Sequence, residues 1–180
     1  MDEAKVAKPH ILSHCNAHAV ARTNRHNAVL NRLLKAYAHA AGFEDRFPVP
    51  PVQSQIDVAP GTTVYLNRKI PFSRIDRALR PDFVVVDQNK KTVLIVDACV
   101  PFENGQGAMD AARGDKHRKY EPVRADLVRQ GYKVFLEAFV VGALGAWDPA
   151  NRMVTRALGI SDRYANTMAK LCERCCHVVP

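Results

Sequence analysis

Apolar and polar positions change their spacing along this chain, and the changes predict helices packed around a sheet. In residues 22–42 the apolar positions recur every three or four residues, which predicts an amphipathic helix that ends at Gly42. Short continuous apolar runs occupy 83–86 and 93–96, and a longer run occupies 132–142. Because these runs are rich in valine and phenylalanine, we expect buried strands there.

The stretches between these runs predict further elements. Residues 43–62 are rich in proline and indicate an extended connection or short edge strands, and residues 62–67 indicate another short strand. Residues 105–120 indicate a helix, which we expect Pro122 to break or restart and Gly131 to end.

The C-terminal part predicts two helices, over residues 147–160 and 161–175. Asp148 and Ser161 stand where N-cap residues belong. No internal repeat is visible in the chain. We therefore expect one α/β domain behind a polar front segment.

Charge narrows the class of partner. The chain has 180 residues, of which 47% are hydrophobic, enough for one domain with a core. Its net charge is +8 and its pI about 9.4, which is typical of proteins that bind a polyanion, most often nucleic acid. The alternative is a soluble protein that is merely basic. No apolar run is long enough to span a bilayer, so we expect no membrane partner.

The cysteines do not indicate a disulfide framework. There are five of them, an odd number, and three crowd near the end as Cys172, Cys175 and Cys176. We therefore expect a reducing, intracellular compartment. The spacing of these three cysteines also suits zinc, but packing or exposure on the last helix is the favoured interpretation.

The two short apolar runs predict a hairpin with an acid at each outer end. If residues 88–91 form the turn, Asp87 faces Thr92 and the ladder runs outward until Asp82 lies opposite Asp97. Two carboxylates at that spacing repel each other, so a cation between them would explain the pattern, and oxygen ligands favour magnesium. The alternative is that Asp82 is a turn residue and Asp97 a strand-end cap.

The next predicted helix offers cations for such a site. Hydrolysis of a phosphodiester also needs groups that position water and offset charge on the phosphate. Residues three and four apart share a helix face, and here that face carries Met109, Arg113, Lys116 and Lys119, with Tyr120 adjoining. The alternative is that both lysines are solvated surface charges.

Together these segments resemble the restriction-like endonuclease domain of site-specific non-LTR retrotransposons, the group that inserts into ribosomal RNA genes. The matching segments are RHNAVLNRLL at 25–34, RPD at 80–82, DACVPFE at 97–103, KHRKY at 116–120 and VFLEAFVVGALGAWDP at 134–149. The match covers most of residues 9–160. That family belongs to the PD-(D/E)xK nuclease superfamily, so the resemblance implies a mixed sheet flanked by helices and DNA cleavage that depends on Mg²⁺ or Mn²⁺.

The resemblance also assigns roles to residues. Asp82 and Asp97 match the metal-binding acids, and Lys116 and Lys119 match the catalytic lysines. The candidates for DNA contact are Arg25, His26, Arg80, Arg113, Arg118 and Tyr120; for His26 and Arg25, support of the site is the other reading. The standard superfamily motif has a lysine two residues beyond the second acid, where this chain has Cys99, so the lysine must come from the helix. Glu103 is a substitute acid that ranks below Asp97.

The front segment departs from that family, in which a zinc knuckle precedes the nuclease. His10 and Cys15 match the last two zinc ligands, but the upstream cysteine pair is missing. We therefore expect residues 1–21 to be the remnant of a zinc knuckle or linker that does not hold zinc alone, and residues 22–180 to be the nuclease domain.

In the intact element, the resemblance implies a nuclear protein that nicks one strand of its target so that the reverse transcriptase can extend the exposed 3′ end. The implied partners are double-stranded or branched DNA, the reverse transcriptase domain and the element RNA. Two alternatives stay open. One is a DNA-binding module whose nuclease is silent in isolation. The other is a structure-specific nuclease like the Holliday-junction resolvases, against which Cys99 argues.

Overall fold

The computed structural model describes residues 19–43, 47–49, 51–75, 78–102 and 105–177, with the side chains of the last helix described as far as Cys172. The helices in these ranges are α1 (Ala19–Ala41), α2 (Gln106–Arg129), α3 (Asn151–Ala157) and α4 (Asp162–His177). The strands are β1 (Ser54–Ala59), β2 (Thr62–Leu66), β3 (Phe83–Asp87), β4 (Thr92–Cys99) and β5 (Lys133–Val140). None of the helices in these ranges is long and apolar enough to span a bilayer.

The strands form one sheet in the order β1-β2-β3-β4-β5. The first four strands pair antiparallel, and β5 pairs parallel to β4. A parallel pair needs a crossover connection, and α2 supplies it. The expected α/β class is confirmed: in the described part of the chain a five-stranded mixed sheet lies among four helices, an arrangement compatible with a PD-(D/E)xK core.

The predicted register of the central hairpin is confirmed. Asp87 pairs with Thr92, and the ladder continues outward to Phe83 opposite Val96. One step further along this register, Asp82 comes opposite Asp97. The hairpin therefore brings the two acids to one end of the sheet, and its turn lies at the other end.

Both faces of the hairpin are buried, because helices cover the sheet on two sides. One face packs against α1, on which α4 packs in turn, and its central residues are Phe83, Leu94 and Val96. The other face packs against α2, and its central residues are Val84, Val86, Val93 and Ile95. The α2 residues that contact this second face are Tyr120, Val123 and Leu127.

Pro122 does not break or restart the helix, so that prediction is wrong. Helix α2 continues through Pro122 and ends before Gly131, whose φ is 87°. Proline removes one helical hydrogen bond and costs ~3 kcal/mol or more in a helix interior. Here Tyr120 and Val123 on either side of it are buried against the sheet, and this packing offsets the cost.

The remaining predicted elements are present, with small shifts. Helix α1 begins at Ala19, three residues before its predicted start. Strand β5, at the edge of the sheet, is exposed at Lys133 and Phe135 but buried at Leu136 and from Ala138 to Val140.

Ser161 is confirmed as an N-cap, because α4 begins at the next residue and the Ser161 hydroxyl accepts the Tyr164 N–H at 3.2 Å. The N-cap prediction for Asp148 is wrong: its carboxylate accepts the Ala150 N–H at 2.9 Å, but the N-cap of α3 is Ala150 and no side chain caps that helix.

Candidate functional site

The two acids at the end of the hairpin accept hydrogen bonds from each other's chain segment. The Ala98 N–H donates to Asp82 Oδ2 at 2.8 Å, and the Asp82 N–H donates to Asp97 Oδ1 at 3.3 Å. These contacts replace the next ladder bonds beyond Phe83, where β3 begins. Asp97 is 2% exposed, whereas the Asp82 side chain is 14% exposed. Asp82 therefore lies just before β3 and Asp97 lies within β4, and the two acids form a fixed carboxylate pair where the antiparallel ladder of the hairpin ends.

Helix α2 places two side chains against the carboxylate of Asp97, which is the more buried acid and is called the inner acid below. The Lys116 ammonium group donates to Asp97 Oδ2, and the Tyr120 hydroxyl lies 2.7 Å from Asp97 Oδ1. These two residues are four positions apart, so they lie on one face of the helix. Tyr120 is fully buried, whereas a quarter of the Lys116 side chain is exposed. The lysine therefore reaches from the core to the solvent side of the site.

Helix α1 places His26 against the carboxylate of Asp82, which is the more exposed acid and is called the outer acid below. Its Nε2 atom lies 3.1 Å from Asp82 Oδ2, and its Nδ1 atom lies 3.4 Å from Asn27 Oδ1. Because both ring nitrogens face oxygen acceptors, the doubly protonated imidazolium fits this position. Of the two roles open for His26, this contact favours support of the site.

The carboxylates also change the proton affinity of their neighbours. Burial alone would lower the pKa of Lys116, but the charge and hydrogen bond of Asp97 outweigh it and raise that pKa. His26 follows the same pattern, because Asp82 overcomes the effect of burial and raises the pKa of the imidazole. Burial raises the pKa of the Cys99 thiol to about 11. Lys116 is therefore a cation at neutral pH, suited to hold charge and not to accept a proton.

The other predicted site residues are either exposed or held in ion pairs. Arg80, Arg118 and Lys119 are exposed, and the Lys119 amine lies 4.6 Å from the centre of the Tyr120 ring. Arg113 forms an ion pair with Asp148, whose side chain is 1% exposed, and another with Asp110. Of the set, the structure thus brings His26, Lys116 and Tyr120 to the acids.

Two predicted DNA contacts need correction. Arg25 is 5% exposed and Tyr120 is fully buried, so neither presents its side chain on a surface that a phosphate backbone could follow. The resemblance assigns both residues by their positions in its motifs, whereas the core packing of their helices turns them inward. Tyr120 instead contacts Asp97.

Some predicted residues lie outside the described part of the chain. These are His10, Cys15 and Glu103, together with the side chains of Cys175 and Cys176. Cys172 is fully buried in the core between α1 and α4, which confirms the packing interpretation for this cysteine.

Sequence reasoning missed the partner of Arg113. The sequence predicts Asp148 only as an N-cap, whereas in the structure its carboxylate pairs with the Arg113 guanidinium group and accepts the Ala150 N–H in the turn before α3. The two residues are 35 positions apart, so no local pattern joins them. An acid that follows Trp147 in an apolar context was the available signal, because buried carboxylates are usually paired.

The oxygen donors at this site fit a hard divalent cation. Asp82 Oδ1 accepts no hydrogen bond from the described residues, which leaves an oxygen for such an ion beside Asp97. Within the described ranges, no three His, Cys, Asp or Glu side chains converge as a metal-binding cluster. Magnesium commonly keeps several waters and binds through one or two carboxylates and substrate phosphates. Asp82 and Asp97 match that mode better than a closed protein cage.

Comparisons with known proteins add little to this geometry. No protein-family model matches the chain. No curated protein matches it. Among solved structures, it is similar to one described as the structure of an N-terminal domain of a reptarenavirus L protein, with 15% identity, a TM-score of 0.39, and coverage of 86% of this chain and 76% of that chain. A likeness of this size carries no weight for activity, so any function has to follow from the site itself.

Proposed function

We propose that this domain is a metal-dependent DNA endonuclease that cleaves a phosphodiester bond at the Asp82–Asp97 end of the sheet. The observation that carries the proposal is the convergence of Asp82, Asp97 and Lys116, which come from three separate segments of the chain. Two carboxylates and a lysine at one rim are the groups that metal-assisted phosphodiester hydrolysis needs. The net charge of +8 fits a polyanionic substrate.

Each residue has a distinct task in this proposal. Asp82 and Asp97 would hold Mg²⁺ or Mn²⁺, which supplies Lewis-acid stabilisation of charge and a more acidic water. The Lys116 ammonium group orients the attacking water or offsets charge on the phosphate oxygens, since its raised pKa keeps it protonated. His26 fixes Asp82 through its 3.1 Å contact, and Asp82 in turn raises the pKa of the imidazole.

The biological setting is a finer proposal, supported by the sequence resemblance described above. We propose that the nuclease nicks target DNA in the nucleus to prime reverse transcription by a non-LTR retrotransposon. Its partners would then be double-stranded or branched DNA, the reverse transcriptase domain of the longer protein, and the element RNA. Zinc would not be held by His10 and Cys15 alone.

Nicking of supercoiled plasmid tests the proposed activity. We expect the wild-type chain to convert plasmid to the open circle with Mg²⁺ or Mn²⁺ and not with a chelator. Asp82→Asn and Asp97→Asn should each lower the rate by about 10²-fold or more, because each substitution removes a charged metal ligand. DNA binding should persist in both. The matched control is Asp57→Asn on β1, whose exposed carboxylate accepts the Thr63 hydroxyl.

The control also separates the possible explanations of a lost activity. Wild-type rates in Asp97→Asn would refute the site and direct attention to Glu103. Loss of nicking in Asp57→Asn as well would indicate damage to the fold, which thermal unfolding would show.

One observation favours the alternative of a DNA-binding module that is silent in isolation. The Lys116 ammonium group already neutralises Asp97, so a metal ion has to share that carboxylate with it. If so, the wild-type chain should bind DNA without nicking it, and adding the reverse transcriptase portion of the protein should restore cleavage.

A further inference from the structure

Tyr120 has one hydroxyl hydrogen and two acceptors within reach. Its oxygen lies 2.7 Å from Asp97 Oδ1 and 3.0 Å from the backbone carbonyl oxygen of Arg80. Arg80 stands two residues before Asp82, in the segment that leads into β3. The hydroxyl therefore lies between the inner acid and the chain segment that carries the outer acid.

The surroundings of Tyr120 make this contact rigid. Its ring is fully buried in the apolar layer between α2 and the sheet, with Val84, Ile95 and Val123 in the same cluster. A ring held on all sides cannot carry its oxygen elsewhere, and a buried hydroxyl that loses its partner is costly. The Tyr120 hydroxyl therefore keeps one position next to the Asp97 carboxylate.

We propose that Tyr120 is a positioning residue that fixes the Asp97 carboxylate and its spacing from Asp82. This inference rests on the proposed function, for which the spacing of the two carboxylates matters because both would hold one ion. The carboxylate is the stronger acceptor, so it takes the hydroxyl hydrogen. Because a hydroxyl rotates freely, the hydrogen can turn to the Arg80 carbonyl when Asp97 Oδ1 shares its charge with a cation.

Tyr120→Phe tests this role, since it removes one oxygen and keeps the buried ring. The matched control is Tyr132→Phe. Tyr132 also donates a phenolic hydrogen bond, to Gln88 Oε1 at 2.8 Å, but it does so at the hairpin turn. The two substitutions delete the same atom at opposite ends of the sheet.

The first measurement is Mn²⁺ binding in the absence of DNA, monitored through the electron paramagnetic resonance signal of the free ion. Loss of a group that orients a metal ligand typically weakens metal binding by about 10–100-fold. We expect a loss in that range for Tyr120→Phe and wild-type affinity for Tyr132→Phe, with DNA binding unchanged in both. In plasmid nicking, Tyr120→Phe should raise the half-saturating Mg²⁺ concentration to a similar extent.

The second measurement needs no metal and uses a double-mutant cycle of Tyr120→Phe and Asp97→Asn. We expect Tyr120→Phe to lower the thermal midpoint by several degrees in the wild-type background, because a hydrogen bond to a charged group is lost. The loss should be clearly smaller in Asp97→Asn. Additive shifts in Tm would mean that the two groups are not coupled and would overturn the inference.

The outcomes separate this inference from the proposed function. If the wild-type chain binds Mn²⁺ and nicks DNA while Tyr120→Phe does both equally well, only the role of Tyr120 is refuted. If the wild-type chain neither binds Mn²⁺ nor nicks DNA, the proposed function fails and the role of Tyr120 fails with it.

Discussion

Lys116 and Lys119 are one helical turn apart, yet only Lys116 contacts a carboxylate of the site. Lys116 donates to Asp97, whereas Lys119 is exposed and lies over the Tyr120 ring. We therefore expect Lys116→Ala to lower the single-turnover nicking rate at saturating DNA by about 10²-fold or more. Lys119→Ala should weaken DNA binding and leave that rate close to wild type.

The arginine substitution separates charge from shape at this position. Lys116→Arg keeps a cation but replaces the ammonium group with a planar fork, so it should recover only part of the lost rate. Equal loss of rate in Lys116→Ala and Lys119→Ala would show that both lysines act in catalysis. Full activity in Lys116→Ala would refute the catalytic role of Lys116. Arg113 could not simply replace it, because Arg113 already forms an ion pair with Asp148.

The hairpin was predictable because its polar four-residue turn fixes which residues pair. The apolar residues on both faces mark its strands as buried, but they do not select the register, because a slip of one residue would exchange one apolar set for the other. The acid pair follows from that register alone. The rotation of α2 about its axis was not predictable in the same way, because Arg113, Lys116 and Lys119 all fit the three- and four-residue spacing equally well.

Packing settles that rotation. Tyr120, Val123 and Leu127 are buried against the sheet, and this places Lys116, four residues before Tyr120, over the carboxylates. Lys119 lies next to Tyr120 in the sequence and is turned by about 100° from it. The sequence shows the candidate cations, but long-range burial selects among them.

Pro122 lies within the helix that carries these residues. Its missing N–H leaves the helix without one bond, and replacement by alanine should restore that bond. Removing the proline from the helix interior should stabilise the protein by about 3 kcal/mol. Alanine also gives the unfolded chain more conformational entropy, which lowers stability by up to about 1 kcal/mol. We therefore expect Pro122→Ala to raise the free energy of unfolding by about 2 kcal/mol, as measured in urea.

A matched substitution is Pro71→Ala in an exposed turn outside the helices. It loosens the unfolded chain in the same way without adding a helical bond, so it should lower stability slightly. If Pro122→Ala destabilises the protein, a bend at Pro122 is needed for the packing of α2. A fall in nicking rate would then indicate that this bend places Lys116.

Asp126 joins the other half of α2 to the loop before β3. It accepts the Arg74 N–H at 2.8 Å and the Gln130 amide at 2.9 Å, and these bonds lower the pKa of its carboxyl group, the Arg74 bond most. A folded-state pKa below the unfolded value stabilises the protein above the unfolded pKa. That contribution is lost as pH falls through the folded-state pKa.

We therefore expect the wild-type Tm to fall as pH drops below about 4, and Asp126→Asn to flatten that fall. At neutral pH the variant should melt at a lower temperature than wild type, because the charged acceptor is gone. Asp57→Asn, on the exposed edge strand, is the comparison. Parallel Tm curves for wild type and Asp126→Asn would rule out this contribution.

At the scale of the whole molecule, the net charge of +8 favours DNA binding, and the positions of the individual charges decide where the DNA contacts the protein. Arg80 and Lys119 are exposed beside the acid pair, since the Arg80 carbonyl and the Lys119 amine both contact Tyr120. Lys90 and Lys133 are exposed at the opposite, turn end of the hairpin. If DNA crosses the acid end, the first pair should contact phosphates and the second should not.

Two double variants with equal net charge test this arrangement. Each phosphate contact adds about 0.9 to the slope of log affinity against log salt for duplex DNA. Arg80→Ala with Lys119→Ala should therefore lower affinity at low salt and reduce the slope by about two, whereas Lys90→Ala with Lys133→Ala should change neither appreciably. The measurement is fluorescence anisotropy with a labelled duplex over a range of salt concentrations. Equal losses in the two variants would show that DNA responds to total charge and does not dock at the acid end.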